Sequence, residues 1–156
     1  MRLSARFRAV LYGVVAVLFV TGAAWIAVDR AVWPKTATYL LRLHGGAAMA
    51  MLVLLGALLP LHVRIAWRRG KNLASGLVML AANAILTGTA FGLYYTGSEA
   101  LRHGTSELHI AVGLGLPLLV AGHALLGRRS RRAAARERLA CAVRAGSRAR
   151  PPRTSA

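Results

Sequence analysis

Four apolar runs of about twenty residues each, at 9–28, 39–63, 73–95 and 108–126, leave this chain few ways to fold. A helical run of that length crosses the roughly 30 Å hydrocarbon core of a bilayer. Helices are favoured there because each one satisfies its backbone hydrogen bonds internally. The runs occupy most of the 156 residues, and no folded soluble domain fits beside them. The expectation is an all-α integral membrane protein: an up-and-down four-helix bundle over residues 1–127, then a basic, partly disordered cytoplasmic tail over 128–156. Arg2, Arg6 and Arg8 before the first run, with the small residues Ala23 and Ala24 near a cleavage point, also fit a signal peptide. The run is longer than a usual signal core, so a retained first helix is expected, with Gly13, Ala16 and Val20 as its packing face.

Charge sets the expected orientation. The net charge is +17, which in a soluble protein would point to nucleic acid. Here 17 of the 21 Lys and Arg residues fall in the N-terminus, the turn at 64–71 and the tail. The other two loops and their flanks hold four: Arg30, Lys35, Arg42 and Arg102. The positive-inside rule then puts both termini on the cytoplasmic side of a bacterial-type inner membrane. Four spans agree with termini on one side. Membrane is thus the expected partner and nucleic acid is not. Ala135, Leu139 and Val143 recur at helical spacing, which suggests a short amphipathic helix along anionic lipid.

The histidines carry the chemistry. His44 and His62 lie in the second run, His109 and His123 in the fourth. Spacings of 18 and 14 residues are five turns and nearly four, so each pair shares one helix face. The two helices run the same way in an up-and-down bundle and stand diagonally, roughly 12–14 Å apart if neighbours are 8–10 Å apart. That gap suits a porphyrin on edge between imidazoles. His44 is expected opposite His109 on the outer side, and His62 opposite His123 on the inner side, with the two centres about 20 Å apart. The unequal spacings differ by about 6 Å of rise, to be absorbed by tilt or by kinks at Pro60 and Pro117. Gly45, Gly46, Gly113 and Gly122 would let the macrocycle approach the backbone, and Arg42 outside and Arg64 or Arg68 inside would pair with propionates.

The expected cofactor is therefore haem b, two per chain and non-covalent. The lone cysteine, Cys141, offers no Cys-x-x-Cys-His attachment site. A single intramembrane histidine is as often an interhelical hydrogen-bonding residue, but four at matched depths and faces are not readily explained that way. His103 reads as a solvated loop residue in a polar loop over 96–106, and Asn83 as an interhelical hydrogen bond.

At His44/His62 and His109/His123, and more weakly over Leu86-Thr87-Gly88 and Tyr94-Tyr95, the chain resembles the membrane two-haem b-type cytochromes. That group includes cytochrome b561 and the cytochrome subunits of formate dehydrogenases and hydrogenases. The resemblance covers the four spans. It implies that the four histidines are axial ligands and that the protein carries electrons between the quinone pool and a redox partner. The chain has no carboxylate pair, nucleophile motif or nucleotide loop, so an electron-transfer subunit is expected rather than a catalyst on its own. The competing reading is a small transporter or metal-binding membrane protein whose histidines line a path for zinc, copper or protons. No carboxylate or cysteine lies inside the spans to complete such sites.

Overall fold

The computed structural model describes residues 4–70 and 72–148. Every regular element among them is helical: α1 (Ala5–Ala27), α2 (Pro34–Leu58), a single π-helical turn (Leu59–Val63), α3 (Arg64–Arg69), α4 (Leu73–Tyr95) and α5 (Glu99–Arg148). Four of these helices are long and apolar enough to cross a membrane. Their ends follow from local chemistry. Ser4 caps α1 by accepting the Phe7 N–H at 3.1 Å. The Asp29 carboxylate accepts from the Ala31 N–H at 2.9 Å and starts the turn into α2, which opens on Pro34. At the other end of the bundle, Gly70 and Asn72 both take left-handed backbone, with φ of 63° and 58°. Glycine carries no Cβ penalty there, and asparagine tolerates it, which permits the tight reversal from α3 into α4. Ser130 on α5 donates to the Asn72 side chain at 3.0 Å and ties this turn to the bundle.

α1 packs along α2, and α4 packs along α5. The two hairpins meet chiefly through α1 and α5. The result is a bundle with little filling. Among the described residues no large side chain is fully buried, and the apolar core consists of Val15, Ala37, Met51, Ala82 and Leu116.

Several expectations are corrected. The stretch at 96–106 is not a loop: only 96–98 is irregular, and α5 starts at Glu99, whose carboxylate suits a helix N-terminus. Arg102 folds back to donate to the Leu93 carbonyl at 3.2 Å, satisfying one of the orphan acceptors at the end of α4. The tail is helical as far as Arg148 in unbroken continuation of α5, not as a separate helix; residues 149–156 lie outside the described part. Gly13, Ala16 and Val20 do not form the packing face of α1, since Ala16 and Val20 are exposed and nothing lies within 4 Å of a Cβ at Gly13; Val15 and Thr21 are buried instead. Asn83 is buried, but its amide donates to the Met79 carbonyl of its own helix at 2.8 Å, because no polar group of a neighbour reaches it.

Of the glycines, Gly92 has the tightest neighbour. A Cβ there would stand 2.9 Å from the Cγ2 of Thr105, a β-branched side chain with little rotamer freedom. Gly92→Ala is expected to destabilise the α4–α5 hairpin by about 1–3 kcal/mol, the usual cost of overpacking. Thermal unfolding in detergent, compared with Gly88→Ala where the space is open, reads this out. Equal melting temperatures for the two variants would count against the contact.

Candidate functional site

α2 and α5 run in the same direction, so their histidines pair by depth. The His44 and His109 rings stand with centroids 6.2 Å apart, and the His62 and His123 rings 6.1 Å apart. In each pair the ring planes are steeply crossed, at 69° and 86°. Both distances match across a gap that the helix backbones do not close. The longer interval, His44 to His62, contains the π turn, and His62 lies on it. Pro60 has no N–H to donate to the preceding turn, and the chain widens there, with the Arg64 N–H reaching back five residues to the Leu59 carbonyl. A π turn spends more residues per turn than an α-helix and so shortens the longer interval. Pro117, the other expected kink, lies inside α5 without interrupting it.

Behind three of the four imidazoles stands a hydroxyl that composition alone did not reveal. Thr21 Oγ1 lies 3.0 Å from His44 Nδ1, Thr89 Oγ1 lies 2.8 Å from His109 Nδ1, and Ser75 Oγ lies 3.1 Å from His123 Nδ1. Each hydroxyl also contacts a carbonyl of its own helix: Val17 at 2.6 Å, Ile85 at 2.7 Å and Asn72 at 3.1 Å. A hydroxyl has one hydrogen, and a carbonyl can only accept. The hydroxyl therefore donates to the carbonyl and accepts the Nδ1–H of the ring. That chain of bonds leaves Nε2 unprotonated, with its lone pair free. Such outer partners orient the histidines that bind metals and set their tautomer.

Ring separation alone is ambiguous, because centroids 4.5–7 Å apart also describe ordinary aromatic contacts. Two imidazoles on opposite sides of one metal ion, each bonded at about 2.0 Å, likewise have ring centres about 6 Å apart. The fixed tautomers separate the cases. A hydrogen bond between two imidazoles needs an N–H on one of the facing nitrogens. In the His44–His109 pair both Nδ1 hydrogens are given to hydroxyls, so neither ring has an N–H left for the other, and each keeps an Nε2 lone pair.

Gly46 and Gly122 have nothing within 4 Å of where a Cβ would stand, and Gly46 is on the exposed side of α2. Gly45 and Gly113 face only the Tyr94 hydroxyl at 3.9 Å and a Leu86 methyl at 3.8 Å. Gly22 is the tight neighbour: a Cβ there would come within 3.2 Å of His44 Cε1. Arg42 lines a shallow depression at the start of α2 with Lys35, Thr38 and Tyr39, and Arg64 directly follows the π turn. Both are exposed. His103 is exposed and faces Glu107 at 3.6 Å, away from both pairs. No cluster of three or more His, Cys, Asp or Glu side chains occurs among the described residues.

Thr21, Ser75, Thr89 and Gly22 are the site residues that the histidine pattern did not indicate. A signal for the two threonines does exist in helix register. Thr21 stands six residues before the end of α1 at Ala27, and Thr89 six before the end of α4 at Tyr95. His44 and His109 each stand ten residues after the helix start, at Pro34 and Glu99. The two hairpins repeat one plan. No protein-family model, curated protein or solved structure matches the chain.

Proposed function

We propose that this chain is a two-haem b-type cytochrome that carries electrons across the inner membrane between the quinone pool and a redox partner. It acts as the electron-transfer subunit of a larger oxidoreductase, with both termini on the cytoplasmic side. Two matched imidazole pairs with open Nε2 positions carry this reading. His44 with His109 would hold the outer group, and His62 with His123 the inner one. When bound, haem supplies a one-electron centre whose two imidazole ligands leave no open position for oxygen chemistry.

The chain's own part is to hold and to insulate. Thr21, Thr89 and Ser75 would keep Nδ1 protonated and leave Nε2 to bind the metal. The apolar helix faces keep water away from the centres. Arg42 and Arg64 are the cations at the two ends available to propionates.

Donor count favours this reading over a zinc or copper path. A structural zinc site takes four protein donors and a catalytic one three. Each cluster here offers two imidazoles, which is sufficient where a macrocycle contributes the remaining four nitrogens. Purified protein should show a dithionite-reduced b-type spectrum with two haems per chain, lost when His44 and His123 are both replaced by alanine. A colourless wild-type protein expressed with ample haem would end the proposal.

A further inference from the structure

The four imidazoles are not equally held. His44, His109 and His123 are half-buried, and each has its hydroxyl partner. His62 is exposed, and no hydrogen-bond partner for its ring occurs among the described residues. It also sits on the π turn, two residues after Pro60, where the regular i to i−4 ladder is interrupted. The repeated hairpin plan accounts for the missing partner. Ser75, which holds His123, lies two residues after the start of α4 at Leu73, and the position two residues after the start of α1 at Ala5 is Phe7. Phenylalanine has no hydroxyl to offer.

We infer that His62 is a displaceable ligand, and that the inner site accepts a small neutral π-acceptor molecule in its place while the outer site stays closed. The inference rests on the two-haem reading. A ring anchored at Nδ1 returns to the same position after each excursion, whereas an unanchored ring on an interrupted turn has other rotamers open to it. With haem bound, His62 would be the ligand that leaves and the incoming molecule would supply a lone pair in its stead, so one bond forms as one breaks and no oxidation state changes. Such a site lets the inner centre report on, or be inhibited by, dissolved diatomic gases.

Carbon monoxide is the probe, added to dithionite-reduced, haem-loaded full-length protein. The expected result is a carbon monoxide difference spectrum that saturates at one equivalent per two haems. A variant retaining only the inner pair (His44→Ala with His109→Ala) should keep the response, and one retaining only the outer pair (His62→Ala with His123→Ala) should lose it. Absence of any response from two-haem wild type, a titre of two, or a response from the outer pair alone would overturn the inference. Should a double variant fail to load haem, the wild-type stoichiometry decides. Failure of the two-haem reading itself looks different, because no haem would then be present to titrate.

Discussion

Removing His44 and His109 together is expected to leave a protein that inserts normally but carries one haem instead of two. The two pairs are set apart by 18 residues on one side and 14 on the other and share no hydrogen-bond partner among the described residues, so the loss of one should not propagate to the other. The reciprocal change at His62 and His123 should remove the other half. Pyridine haemochrome assay per mole of chain measures both. The prediction is additive: each double variant about half, and the quadruple variant none. Loss of all haem from either double variant would show that the centres assemble as one unit and that the separate-site description is wrong.

The second large effect concerns a residue with no donor atom at all. Gly22→Leu is expected to empty the outer site while leaving the inner one loaded. The first atom of the new side chain would already be 3.2 Å from His44 Cε1, and the branched end must go where the imidazole now stands. Leucine is a good helix former and is apolar, so α1 itself should tolerate the change. Gly13→Leu on the same helix is the control, since nothing lies within 4 Å of a Cβ at Gly13. Haem content of about one per chain for Gly22→Leu and two for Gly13→Leu is the expected pattern. Equal contents would mean that His44 has room to move aside, and that Gly22 is not what positions it.

Much of the architecture was legible before any coordinates. Run lengths gave four spans, and the all-helical fold follows from what a bilayer does to unpaired backbone. His44 and His62, and likewise His109 and His123, share helix faces because residue spacing maps directly onto angle in a helix. The hydroxyl partners were not legible, since an isolated threonine in an apolar helix is common and bonds its own carbonyl by default. Thr87 illustrates the point: it bonds the Asn83 carbonyl at 2.8 Å and approaches no histidine, while Thr89, two residues on, holds His109. Only the relative rotation of two neighbouring helices distinguishes them. The boundary errors have a similar origin. The polar residues at 99–106 read as loop by composition, yet a helix already nucleated by α5 extends through them at little cost.

By itself, the order of residues determined that this chain must be a bundle of membrane-spanning helices and which faces bear imidazoles, because both are consequences of period and length along one element. Tertiary structure decided how far apart the paired rings stand, which hydroxyl anchors three of them, and that His62 has none among the described residues. Those properties depend on distances between elements remote in sequence, such as the 48 residues that separate Ser75 from His123. Helix rotation, tilt and the π turn at Leu59–Val63 set such distances, and no local pattern encodes them.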